Sequence, residues 1–187
     1  FDNKIRAKVH IFYQEHLPSV SLRFLNLTPK TLRELNCPPP LDRFATVKDG
    51  LLIIAGNQDS GRTTLAAAIL EQINRTRACH IMTLEDPPEY DLLSNMSIIN
   101  QREVGVDVAT FEEGLDGALK EDIDVLFVSD FSRPSIVRKI LEIAGAGVYV
   151  IVIMNTDSSA RAVEHIITSF EPHEEQHIRT LLADVLS

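Results

Sequence analysis

Four short apolar runs, at 51–55, 79–84, 124–128 and 147–154, alternate with four longer segments that read as helices, at 63–77, 109–120, 134–145 and 158–169. Runs that are apolar throughout suit strands buried on both faces, and strands separated by helices cross over and pair in parallel. The pattern therefore predicts an α/β domain, a mostly parallel sheet covered by helices. The chain has 187 residues, enough for one sizeable core or a large domain with an appendage. With 44% hydrophobic and 24% charged residues it is globular rather than disordered.

The first run leads into a specific loop. Leu51–Ala55 is followed by Gly56, a polar stretch, Gly61-Arg62-Thr63-Thr64, and a segment rich in Ala, Leu and Ile. A buried strand, a glycine loop and a helix N-terminus together cradle an anion, because loop amides and the helix dipole both point at it. The nucleotide signature of this spacing is G-x-x-x-x-G-K-[ST]. The chain reads Gly56-Asn57-Gln58-Asp59-Ser60-Gly61-Arg62-Thr63, so the glycines and the hydroxyl are present and the lysine is an arginine. Thr63 is the candidate magnesium ligand, Arg62 the candidate phosphate-holding cation, and Thr64 belongs to the same loop.

Carboxylates placed just past apolar strands can hold Mg²⁺ or orient a water. The 79–84 run ends in Thr83-Leu84-Glu85-Asp86-Pro87-Pro88-Glu89-Tyr90, and the 124–128 run in Val128-Ser129-Asp130. Glu85 is the candidate for orienting water and Asp130 for serving the metal.

Before the loop, Ala7–Tyr13 and Val20–Leu27 read as two antiparallel strands joined through Pro18, Leu32–Leu35 as a short helix opened by Thr28-Pro29-Lys30-Thr31, Cys37-Pro38-Pro39-Pro40 as a linker, and Leu41–Val47 as one or two helical turns. A net charge of −9 argues against a nucleic-acid partner, which needs a basic face. No apolar run reaches the eighteen residues of a membrane span. Cys37 and Cys79 lack metal spacing and read as two reduced thiols. The chain opens on Phe1 and is read as a fragment. His173-Glu174-Glu175-Gln176-His177 matches the zinc-protease pattern, but it follows Pro172 directly and reads instead as the solvated first turn of a helix.

The ordered set of motifs resembles the type II/type IV secretion ATPases, and within them the type IV pilus retraction motors. Glu85-Asp86-Pro87-Pro88-Glu89-Tyr90 resembles the acidic box of that family, and Asn100-Gln101-Arg102-Glu103-Val104 the stretch that follows it. The segment 118–128 resembles the approach to the Walker B strand, and Ser158–Ile167 with Phe170-Glu171-Pro172 resembles a late helix. Arg23 resembles an arginine near the nucleotide. The resemblance implies a RecA-like P-loop domain over 48–187, a linker over 29–47, and the end of a PAS-like N-terminal domain over 1–28. It implies ATP and Mg²⁺ as ligands and a hexameric ring at the cytoplasmic face of the inner membrane, peripheral to it rather than spanning it. The implied partners are a second copy or a related active ATPase, and the pilus inner-membrane platform. It also implies a further helical portion after Ser187.

The departures from the family pattern fall where the chemistry is. Lysine becomes Arg62, a loop glycine becomes Asp59, the Walker B glutamate becomes Asp130, and an arginine falls on Ser132 with Arg133 beside it. The two histidines of the histidine box fall on Val148 and Asn155. Arginine is a wide fork where lysine is a compact charge, and the two are not interchangeable. Asp59 places a carboxylate where phosphate is received, a like-charge contact of about 3 kcal/mol at about 5 Å and an effective dielectric near 20. Asp130 is one methylene short, and a displacement of about 1 Å can lose on the order of 100-fold in rate. These changes favour a ring subunit or regulator that binds ATP weakly and hydrolyses it very slowly or not at all. The alternative is a working retraction or secretion motor.

Overall fold

The computed structural model describes residues 6–25 and 28–186, and the side chains of all of these except residues 6, 8, 23, 25 and 186. Strands β1 (Arg6–Gln14) and β2 (Leu17–Leu25) pair antiparallel in a sheet of their own. Glu15 and His16 turn the chain, both at positive φ (52° and 65°), the conformation of a tight hairpin turn. The connection is thus shorter than Pro18 suggested. That proline lies within β2 opposite Tyr13, where a two-stranded ribbon tolerates a missing N–H. The end of the second expected strand, residues 26 and 27, lies outside the described residues. One ribbon face carries Ala7, Val9, Ile11 and Tyr13 opposite Phe24, Leu22, Val20 and Pro18. Val9, Ile11, Tyr13, Val20, Leu22 and Phe24 are all more than half exposed.

The expected helix at 32–35 is a single turn. Thr31 and Glu34 cap each other, Thr31 N–H donating to Glu34 Oε2 (2.8 Å) and Glu34 N–H to Thr31 Oγ1 (3.2 Å). Asn36 at φ 53° then stops it, and prolines follow. A 3-10 helix covers Pro39–Ala45, starting on prolines whose missing N–H groups would be orphans there anyway.

The main sheet has five parallel strands, β3 (Gly50–Gly56), β4 (His80–Glu85), β5 (Ile98–Glu103), β6 (Val125–Val128) and β7 (Tyr149–Asn155), in the order β3-β7-β6-β4-β5. Helix α1 (Arg62–Thr76) covers one face, burying Ala66, Ile69, Leu70 and Ile73 with Ile81, Phe127 and Ile151. Helices α2 (Phe111–Ala118), α3 (Pro134–Gly145), α4 (Ser159–Thr168) and α5 (Glu175–Leu186) cover the other, around Met82, Leu84, Leu126, Val150 and Val152. Each buried strand therefore feeds two cores, as its unbroken apolar run requires. Gly114 lets α2 lie against β4, since a Cβ there would meet Leu84 at 2.6 Å. Gly50, at φ +97°, has no room for a Cβ, which would lie 2.9 Å from the Val185 carbonyl of α5.

Strand β5 is an addition to the sequence expectation, whereas helix α5 is the helix expected after Pro172. Of the β5 amides, Ile98 N–H and the following Val104 N–H donate to β4 carbonyls at Cys79 and Glu85 (3.0 and 2.8 Å). Ile99 and Glu103 point the opposite way. Ile99 N–H donates to Ser94 Oγ (3.0 Å) and Glu103 N–H to Asp107 Oδ2 (2.8 Å). The second half of the zinc-like pattern forms the first turn of α5. His173 and His177 are exposed, and Glu174 binds Arg138 (2.6 Å). Among the described residues no group of three or more His, Cys, Asp or Glu is arranged to hold a metal, and both cysteines are free thiols.

Candidate functional site

The glycine loop falls at the carboxyl end of β3, where open parallel sheets bind ligands. Gly61 (φ 90°) is the N-cap of α1 and Asp59 holds φ 60°. The turn is tight. Ser60 N–H donates to the Asn57 carbonyl (3.2 Å), and the Ser60 side chain folds over Gly56, where a Cβ would be 2.4 Å from its Oγ. Arg62, Thr63 and Thr64 form the first turn of α1, whose amides have no partner within the helix. A cavity of about 550 Å³ opens over this turn, lined by Gln58, Asp59, Gly61, Arg62, Thr63, Thr64 and Glu89.

The two sequence-predicted acids sit at the ends of neighbouring strands, since Leu84 pairs with Val128, but they do different things. Glu85 is enclosed, at 4% exposure on the α1 side of the sheet. Its Oε1 accepts from Thr83 Oγ1 (2.8 Å) and Gln101 Nε2 (3.2 Å). Burial pushes its carboxyl above the usual range, and the bonds from Thr83, Gln101 and the Glu89 amide pull against that. Gln101 also donates to the Tyr90 carbonyl (3.0 Å) and accepts from Leu92 N–H (2.8 Å). Tyr90 in turn shares a hydrogen bond with Thr64 of α1 (2.9 Å).

Asp130 opens onto a second cavity of about 340 Å³, lined by Arg62, Ser129, Asp130, Phe131, Ser132, Ile153, Met154, Asn155 and His165. Its carboxylate is turned into its own loop. Oδ1 accepts from Ser132 N–H (3.0 Å) and Ser132 Oγ (2.6 Å), and Oδ2 lies 3.5 Å from Arg133 Nε. Arg133 also reaches Glu112 (3.5 Å) and lies over the Phe111 ring. Arg62 borders both cavities, Thr63 lines the first and Asp130 the second. Arg23 stands in β2, and its side chain lies outside what the structure describes.

Three residues join the site that the motif alone does not single out. Glu89 lines the loop cavity, Gln101 clamps the acidic segment, and His165, from α4, lines the same cavity as Asp130. Glu89 and Gln101 lie in polar stretches of unusual density, the one signal the sequence carries for them. His165 is visible only once α4 is folded over the sheet.

A parallel sheet in which β7 separates the loop strand β3 from the Asp130 strand β6, with a glycine loop opening α1, defines a P-loop α/β domain. The family model described as "Type II/IV secretion system protein" matches residues 6–168, and the chain belongs to that family. It is 32% identical over 185 residues to a twitching motility protein of Neisseria gonorrhoeae, covering 99% of this chain and 50% of the relative. It is 32% identical over 181 residues to the type IV pilus retraction ATPase PilT of Pseudomonas aeruginosa, covering 97% and 53%. The solved pilus retraction motor PilT with bound ADP superposes with a TM-score of 0.92 at 31% identity, over 99% of this chain and 54% of that one. The chain spans about half the length of the curated relatives it matches.

Proposed function

We propose that this chain is a subunit of a type IV pilus or secretion machine that keeps the frame of the motor and binds ATP weakly, with hydrolysis very slow or absent. The observation that carries the reading is Asp130. Both of its carboxylate oxygens are engaged by Ser132 and Arg133, so presenting them to a ligand means first breaking a local network. Arg62 in place of a compact cation and Asp59 in the loop act in the same direction. The site residues still fit a nucleotide. The cavity, the α1 amides and the Thr63 hydroxyl suit phosphate oxygens, and the magnesium that accompanies a nucleotide asks for only one or two protein oxygens. When bound, that ion neutralises phosphate charge. That the cavity is fully formed favours the second reading, an active retraction or secretion motor.

The domain assignment belongs to the same proposal. A ribbon with one wholly apolar, exposed face suits the end of a PAS-like domain completed by further chain, with 29–47 as linker and 48–187 as the RecA-like portion. The subunit would act in a ring, with copies of itself or with a related active ATPase, docked on the inner-membrane platform from the cytoplasmic side. No helix among the described residues is long and apolar enough to cross a membrane. An interface role for Arg102 in such a ring has a competing explanation. Arg102 pairs with Glu121 through two contacts (2.9 and 3.1 Å), so replacing it by an acid would disturb the fold as well as any interface.

Steady-state ATPase activity of the full-length protein tests the reading, with turnover expected near background. Turnover of about 1 s⁻¹ or more, lost in Asp130→Asn, establishes the active-motor reading instead.

A further inference from the structure

Asp130 Oδ1 accepts twice from one residue, from the Ser132 hydroxyl at 2.6 Å and from the Ser132 amide at 3.0 Å. We propose that Ser132 is a positioning residue that regulates the nucleotide site, its hydroxyl turning the Asp130 carboxylate into its own loop and so lowering the response of the site to magnesium. This regulation presupposes that the loop cavity takes a nucleotide.

The contact depends on the length of residue 130. An aspartate side chain reaches the amide two residues on in its own chain, and an acid one methylene longer overshoots that turn. Asp130 makes the turn, and the hydroxyl of Ser132 then falls on the same oxygen. Oδ2 has only the looser contact with Arg133 Nε at 3.5 Å, and Arg133 has a second acid, Glu112, at the same distance. The hydroxyl is therefore the tightest hold on the carboxylate. The frame beneath it is fixed, because Phe131, between the two partners, is 2% exposed and shares a core with Ile136 and Ile140 of α3. Helix α3 does not need the hydroxyl. Its N-cap is Arg133, no side chain caps it, and Pro134 stands in its first turn. Ser132 is itself exposed, so its hydroxyl fills no gap in the core. Arg62 lines both the Asp130 cavity and the loop cavity, which makes the two neighbours. A carboxylate released from Ser132 stands on the wall beside the phosphate-binding turn, where its charge favours a magnesium complex over bare triphosphate.

Calorimetric titration of ATP into the full-length protein, in Mg²⁺ and in EDTA, measures the ratio of the two affinities. Ser132→Ala should raise that ratio about fivefold or more, the worth of a hydrogen bond to a charged group after allowance for an Asp130 side chain that is 28% exposed. Free ATP should bind that variant no better than the wild type. Ser132→Thr keeps the hydroxyl and should keep the wild-type ratio. In an Asp130→Glu background Ser132→Ala should add little, because the longer acid is no longer held, and the two changes are then strongly non-additive. A ratio that is unchanged or lower in Ser132→Ala overturns the proposal. A merely structural role gives that result, since it weakens both affinities together and lowers the melting temperature. An equal rise in Ser132→Thr also overturns it, because the hydroxyl is then not the agent. The same rise from Ser132→Ala in the Asp130→Glu background overturns the dependence on aspartate. Absence of ATP binding by both wild type and Ser132→Ala in either medium refutes the nucleotide reading itself, and this role with it.

Discussion

Asp59 offers the sharpest perturbation of the loop, because two of its properties can be separated. It holds φ 60°, in the left-handed region that Asp and Asn tolerate and Gly prefers, and it lines the loop cavity. A single phosphate charge at about 5 Å and an effective dielectric near 20 is worth about 3 kcal/mol. Exposure of the loop, salt and the magnesium ion reduce that to about 1–2 kcal/mol, or roughly 5- to 30-fold in affinity. Asp59→Asn removes the charge and keeps the tolerance for positive φ, so it should give most of the gain with little change in stability. Asp59→Gly should give the same gain, modified only by the backbone, where a glycine relieves the left-handed strain and adds freedom to the unfolded chain. Calorimetry of ATP binding to wild type, Asp59→Asn and Asp59→Gly, at low and moderate salt, measures both terms, and the gain should shrink as salt rises. Unchanged or weaker binding in both variants would show that the carboxylate does not oppose phosphate, and a gain confined to Asp59→Gly would assign the effect to the backbone.

Two further outcomes follow from buried polar groups. Glu85 is raised by burial, so the folded protein binds its proton more tightly than the unfolded chain does. Its contribution to stability is full below the unfolded pKa and fades as pH climbs through the raised folded value. Urea denaturation should therefore find Glu85→Gln gaining on wild type as pH rises above the usual carboxylate range, and a pH-independent difference would contradict this. The Tyr149 hydroxyl is buried without a hydrogen-bond partner among the described residues, and burial pushes its pKa up. Tyr149→Phe should be neutral or stabilising by about 1 kcal/mol, whereas a loss of that size would reveal a partner such as a bound water.

The sheet was legible because its strands are buried on both faces. The runs ending at Ala55, Leu84, Val128 and Met154 are mainly apolar on both alternating faces, and the structure returns them as β3, β4, β6 and β7. Strand β5 was not, because an edge strand has one open side and its residues serve polar ends. Gln101 clamps a loop, Arg102 pairs with Glu121, and Asn100 bonds His80. The turn at 31–36 shows the converse, a sound capping pair defeated one turn later by Asn36 and the prolines. In the site, the loop residues were legible from spacing alone. Which of two glutamates four residues apart would line the loop cavity was not, because the segment is held by Gln101, which reaches it from another strand.

The treatment of β5 has a consequence for how such chains are packed side by side in a cell. A sheet whose last strand shows bare amides is open to any extended peptide that happens by, including a sister chain still being made. Here Ser94 and Asp107 occupy the outward amides of Ile99 and Glu103, and Asp107 adds a charge that an incoming strand would have to bury. Growth of the sheet by strand addition is discouraged on that side. Subunits crowded at high local concentration are thereby steered toward contacts between finished surfaces, which can come apart again, and away from shared sheets, which seldom do.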